Sequence, residues 1–70
     1  MKRARTEKLI NMLSDAIDQN DTNKQNETFK EIEKGLKFPN EIDKELFYIY
    51  ASCWMDWDRL KSLIYKYSRA

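Results

Sequence analysis

The chain has 70 residues, with 13 basic side chains against 12 acidic ones, a single cysteine and no histidine. This length allows at most one domain, and the composition excludes an internal disulfide and makes a zinc site or a histidine-based catalytic centre unexpected. The net charge is only +1, with an acidic middle and basic ends, which does not suggest a strong nucleic-acid binder.

The first predicted element is a helix over residues 6–19, with Thr6 as its N-cap. Its apolar residues recur at helical spacing and form one stripe. The stripe consists of Leu9, Ile10, Leu13, Ala16 and Ile17. Residues 1–5 precede the helix as a basic end that we expect to be flexible.

The second predicted helix covers residues 23–34 and has Asp21 or Thr22 as its N-cap. Gly35 lies at the position of a C-cap glycine, and Pro39 follows soon after it. The apolar stripe of this helix is narrower than that of the first. It consists of Phe29, Ile32 and Leu36.

The third predicted helix covers residues 41–55, with Asn40 as its N-cap, and the stretch 46–57 is apolar on nearly every side. One face carries Ile42, Leu46, Ile49, Tyr50, Cys53 and Trp57. A second face carries Phe47, Ala51 and Trp54, with Tyr48 and Met55 beside it. A surface helix needs only one apolar stripe, so this helix carries more apolar surface than three short neighbours can shield.

The fourth predicted helix covers residues 57–68, with Asp56 as its N-cap. Its stripe consists of Leu60, Leu63, Ile64 and Tyr67. The structural alternative is one unbroken helix through the third and fourth segments, with Asp56 in its middle.

Short connections make successive helices antiparallel neighbours. We therefore expect a single all-α domain over residues 1–70, a compact bundle of four short helices arranged as two helical hairpins, with helix 3 central.

The stretch 55–60 reads Met-Asp-Trp-Asp-Arg-Leu and, together with Ile64 and Tyr67, resembles the turn and second helix of a tetratricopeptide repeat. The resemblance covers about the last third of the chain. Tyr48 and Leu60 stand where such a repeat has small residues at its helix crossing, so we do not assign the chain to that family. The resemblance would imply a peptide-binding groove without catalytic residues.

The apolar surplus of helix 3 leads to the main functional hypothesis. Aromatic side chains dominate both protein cores and interface hot spots, so either the bundle or a partner covers them. We predict a protein-binding surface at Phe47, Tyr48, Trp54, Met55 and Trp57.

Charged contacts that orient the partner are predicted at Arg59, Lys66 and Arg69. The alternative for these three residues is a solvated face whose charges suit a helix C-terminus.

Catalytic and metal-binding chemistry finds little support in the sequence. Asp56 and Asp58 are explained by capping of the last helix, because no further calcium-ligand pattern follows them. Cys53 has aromatic or small neighbours and no base partner, so we expect an inert thiol. We therefore predict no enzymatic activity, no metal and no cofactor.

The function that we expect is a small protein–protein interaction module, an adaptor or an inhibitor or regulator of a larger protein. Residues with AT-rich codons are common, which hints at a low-GC bacterium, or a phage or plasmid of one, as the source. The alternatives are a DNA-binding transcriptional regulator that uses a basic helix 4, and a self-associating structural protein such as a homodimer. We expect a cytoplasmic location without a membrane segment, since the apolar run at 46–55 is too short to cross a bilayer.

Overall fold

The computed structural model describes residues 2–52 and 56–68 and contains four α-helices. They are α1 (Arg3–Asp18), α2 (Thr22–Lys34), α3 (Glu41–Ala51) and α4 (Trp57–Tyr67). The described ranges contain no strand. The predicted all-α bundle of four short helices is therefore confirmed.

Three of the predicted helix starts are confirmed by their capping hydrogen bonds. The side chains of Asp21, Asn40 and Asp56 each accept a hydrogen bond from the backbone N–H three residues further on, at 3.1, 2.9 and 3.3 Å. Each of these bonds satisfies one N–H group that the first helical turn leaves without an intrahelical partner.

We expect the Asn40 cap to be measurable on its own. Asn40→Ala should lower the free energy of unfolding by about 1 kcal/mol, because the first turn of α3 loses its side-chain acceptor. Urea denaturation followed by circular dichroism measures this change. Asn40→Ser is the matched control, since serine also caps; equal stability of the two variants would contradict the capping role.

The start of α1 differs from the prediction. The helix begins at Arg3, so residues 3–5 are helical and do not form a tail, and Thr6 lies inside the helix. The buried Thr6 hydroxyl donates to the Lys2 carbonyl at 3.1 Å, which places it in the first turn as a back-bonding residue and not as an N-cap. An ion pair between Arg3 and Glu7 at 3.3 Å adds support on the outside of that turn.

The third and fourth helices are separate. α3 ends at Ala51, four residues before the predicted end, and Asp56 caps α4. This arrangement excludes the alternative of a single helix with Asp56 in its interior. Residues 53–55, on which the last predicted turn of helix 3 falls, lie outside the described residues.

The helices pack as two hairpins, α1 on α2 and α3 on α4, and α4 also contacts α1. Every helix contributes to one core. Its large, fully buried apolar side chains are Leu13, Ile32, Phe47, Leu60 and Ile64. Gly35 ends α2 as predicted, but its φ of −95° lies outside the left-handed region. The residue that adopts the left-handed conformation is Asn20, which follows α1 and has a φ of 54°.

Phe47 of α3 lies at the centre of an aromatic cluster in this core. Its ring centroid lies 5.5 Å from that of Phe29 on α2 and 5.3 Å from that of Phe38 in the α2–α3 connection. Phe38 in turn contacts Tyr67 of α4 at 4.9 Å. The predicted central role of α3 thus holds for this one side chain, while α4 joins the two hairpins through its contact with α1.

Tyr67 predicts a dependence of stability on alkaline pH. Burial, and then the nearby Asp43 carboxylate, raise the pKa of Tyr67 above the ordinary value of 10.0. The folded state therefore holds the phenol proton more tightly than the unfolded state does. This contribution is complete below pH 10.0 and is lost as the pH rises through the folded pKa.

The test is urea denaturation at about pH 8 and about pH 11, which bracket the titration of an ordinary tyrosine. The free energy of unfolding should fall between the two pH values, and Tyr67→Phe should make the fall smaller. An equally steep fall in the variant would show that Tyr67 does not contribute.

Candidate protein-interaction surface

Three large apolar side chains on α3 are exposed to solvent. The exposed fractions are 77% for Ile42, 39% for Leu46 and 64% for Ile49. Their spacing of four and then three residues places them on one side of the helix. We call these three residues the α3 apolar face. Single exposed apolar residues are normal on a protein surface, whereas a row of three on one helix makes this face the candidate binding surface.

The side of α3 opposite to this face points into the core. Phe47 is fully buried and Ala51 is nearly so. At about 100° per residue, positions 47 and 51 lie on the far side of the helix from the α3 apolar face. The two apolar sides predicted from the sequence are therefore both real, and one of them faces solvent.

The side that is exposed is not the side that the sequence argument selected. Phe47, predicted as a surface anchor, belongs to the core because Phe29 and Phe38 pack against its ring. Ile42 and Ile49, which were predicted only as an apolar stripe, lie at the surface instead.

The other predicted binding residues have mixed positions. Tyr48 is 38% exposed, and its hydroxyl donates to a Glu33 carboxylate oxygen at 2.8 Å. This hydrogen bond is the main cause that raises the pKa of Tyr48, with burial second. Trp57 is half-buried and packs against the core, with the Lys61 Nζ 5.9 Å from its ring centroid. Trp54 and Met55 lie outside the described residues.

The two edges of the α3 apolar face carry different groups. Glu41 and Glu45 are exposed along one edge, and no ion pair among the described residues engages either carboxylate. Tyr50 is half-buried along the other edge, where its hydroxyl accepts a hydrogen bond from Arg59 at 3.3 Å. The Arg59 guanidinium also pairs with Asp56 at 3.2 Å.

The three predicted orienting cations do not form one free basic stripe in the part of the chain that the structure describes. Arg59 is held by Tyr50 and Asp56, which together raise its pKa further, the hydrogen bond to Tyr50 most. Lys66 is exposed, with its Nζ 5.4 Å from the Tyr67 ring centroid. Arg69 lies outside the described residues.

A second surface feature is a shallow hollow of about 610 Å³ between α1 and α2. Leu9 and Met12 form its apolar part, and Glu27 and Glu31 lie on its rim. Glu31 is already paired with Arg5 at 3.3 Å across the two helices and with a lysine one turn away. The charge of Glu31 on the rim is therefore already compensated, and only two large apolar side chains line the hollow, so it is a weaker candidate than the α3 apolar face.

Within residues 2–52 and 56–68, no cluster of three or more acidic or cysteine side chains is placed to hold a metal ion. In the same ranges, every helix is too short or too polar to cross a bilayer. Cys53 lies outside the described residues, so its predicted inertness stays a prediction.

Comparison with known proteins gives no match for this chain, neither to a family model nor to a curated protein or a solved structure.

Proposed function

We propose that this protein is a small, non-enzymatic protein–protein interaction module that binds its partner through the α3 apolar face. The observation that supports this proposal is the exposure of Ile42, Leu46 and Ile49 on a helix whose opposite side buries Phe47 and Ala51 in the core. Full burial of an exposed side chain of this size is worth about 1.5–3 kcal/mol, which Ile42 and Ile49 approach more closely than the 39% exposed Leu46. Three in a row therefore provide an anchor of the size that a central interface cluster requires.

The biological role that fits such a surface is that of an adaptor or of an inhibitor or regulator of a larger protein. The protein would act by covering an apolar site on its target. Arg59, at the Tyr50 edge of the face, would orient the partner through charge in competition with its ion pair to Asp56. A reducing cytoplasm fits a chain with a single cysteine, and a phage or mobile element remains the proposed source.

Binding to DNA through α4 receives less support from the geometry. Arg59 and Lys61 of this helix are paired with Asp56 and Asp58, at 3.2 and 3.5 Å. A phosphate would have to compete with these carboxylates for both cations.

Site-specific photo-crosslinking tests the proposal. A photoreactive amino acid is placed at position 49, in the α3 apolar face, and separately at the exposed position 11 on α1 as the control. Crosslinking is carried out in cells of the source organism. We expect a defined adduct with another protein from position 49 and none from position 11. If both positions give the same weak, unspecific products, the α3 apolar face is not a binding surface.

A further inference from the structure

The charges beside the α3 apolar face indicate what kind of partner covers it. Glu45 lies next to the face on the helical surface, and Glu41 lies one turn before it on the same edge. Both are exposed, and neither has a cationic partner among the described residues. Lys44 is the one base of α3, and it lies on the opposite side of the helix. The apolar row is therefore bordered by negative charge that α3 itself does not compensate.

The shape of the face favours a helix as the binding element. Positions 42 to 49 span roughly 10 Å along the axis, or about two helical turns. The row is a straight ridge on a convex surface, which packs into the groove of a second helix. An extended peptide has no sheet edge to join here, because the described residues contain no strand.

A second copy of this chain matches the face poorly in charge. In a two-fold antiparallel pairing centred on Leu46, the Glu45 edges of both copies fall on the same side of the interface. In a parallel two-fold pairing, the Glu45 edge of one copy meets the edge that holds Tyr50 and Asp43 in the other. Neither arrangement brings a base of α3 to Glu45. Arg59 of α4 lies at the Tyr50 edge, but Asp56 already pairs with it at 3.2 Å, so Glu45 would have to compete with that carboxylate.

We infer that the α3 apolar face binds an amphipathic helix of another protein whose apolar stripe is bordered by lysine or arginine on the side that meets Glu41 and Glu45. This inference depends on the proposed function and adds the chemistry of the partner. The apolar row would supply the affinity, and the two carboxylates would set the register and orientation of the bound helix.

The test is selection from a displayed library of helical peptides. Every peptide carries a fixed leucine and isoleucine stripe, and each position that borders the stripe is either lysine or glutamate. The full chain is the target. Peptides that also bind the Ile42→Ser/Ile49→Ser variant are discarded, because they bind elsewhere on the chain. Both substituted residues are exposed, so this variant should keep the circular dichroism spectrum of the original chain.

We expect the selected peptides to carry lysine along one border of the stripe. A peptide with lysine at the border positions should bind about tenfold more tightly at low salt than the same peptide with glutamate there. The ratio of the two affinities should become smaller as salt is added. A Glu41→Lys/Glu45→Lys target should reverse the preference. All three results together support the inference.

The contrary outcomes separate the two proposals. If peptides bind the original chain in preference to the Ile42→Ser/Ile49→Ser variant but carry lysine and glutamate equally, the basic partner is wrong and the binding surface stands. If light scattering shows a dimer of the original chain that the same variant converts to a monomer, the occupant is a second copy and the inference is wrong. If no peptide distinguishes the original chain from the variant, both proposals fail.

Discussion

Replacing Phe47 with alanine should remove most of the stability of this protein. Truncation of a fully buried phenylalanine costs about 3–5 kcal/mol, because the core loses apolar burial and keeps a cavity. Small domains are stable by only about 5–15 kcal/mol in total, and one of this size belongs near the lower end. Phe47→Ala should therefore be partly or wholly unfolded at ambient temperature, with a large loss of helical circular dichroism.

The matched control for this prediction comes from the same helix. Ile49→Ala also truncates a large apolar side chain, but this side chain is exposed, so the free energy of unfolding should change by no more than about 0.5 kcal/mol. Urea denaturation of both variants compares them directly. Equal losses of stability would mean that the two sides of α3 do not differ in burial, and the structural account would be wrong.

Replacing Ile42 and Ile49 with serine should have the opposite pattern, a large effect on binding and a small one on stability. The few hot-spot residues of an interface each contribute about 2 kcal/mol or more on truncation, and we expect at least one of these two isoleucines to be such a residue. The double variant should therefore bind its partner at least about 30-fold more weakly, since about 1.4 kcal/mol corresponds to one factor of ten. The partner for this measurement is the protein that crosslinks to position 49, and calorimetry provides the affinity.

Met12→Ser is the matched control for the double variant. Met12 on α1 is also a large apolar residue with a similar exposure to that of Leu46, and it lies outside α3. Its replacement should leave the affinity unchanged. If Met12→Ser weakens binding as much as the double variant does, the contact is unspecific apolar adhesion or lies on the α1–α2 side of the bundle.

The sequence was sufficient to predict the helices and most of their starts. Asp21, Asn40 and Asp56 precede apolar runs with helical spacing, and short polar side chains before such runs are reliable N-caps because the hydrogen bond is local. Thr6 has the same chemistry and was assigned wrongly. Its hydroxyl donates to the Lys2 carbonyl, whereas an N-cap hydroxyl accepts from a backbone N–H further along the chain. The sequence alone does not show which of these two hydrogen bonds a threonine makes.

The sequence also showed that α3 has two apolar sides, but it could not show which of them is buried. Both sides have the same helical period and similar hydrophobicity, so the periodicity carries no preference. The choice depends on distant residues, because Phe29 and Phe38 close around Phe47 only after the chain has folded back. A hint was present in the charges, since Glu45 borders the stripe of Ile42 and Ile49, as expected for a side that meets water.

The most direct test of the central claim is the solvent exposure of individual isoleucine methyl groups. Nuclear magnetic resonance of a chain labelled at the isoleucine δ1 methyls, with a soluble paramagnetic agent added, reports each group separately. We predict strong broadening for Ile42 and Ile49, and little for the buried Ile10, Ile32 and Ile64. If Ile42 and Ile49 are as protected as Ile32 in the free protein, α3 has no open apolar face and the proposed binding surface does not exist.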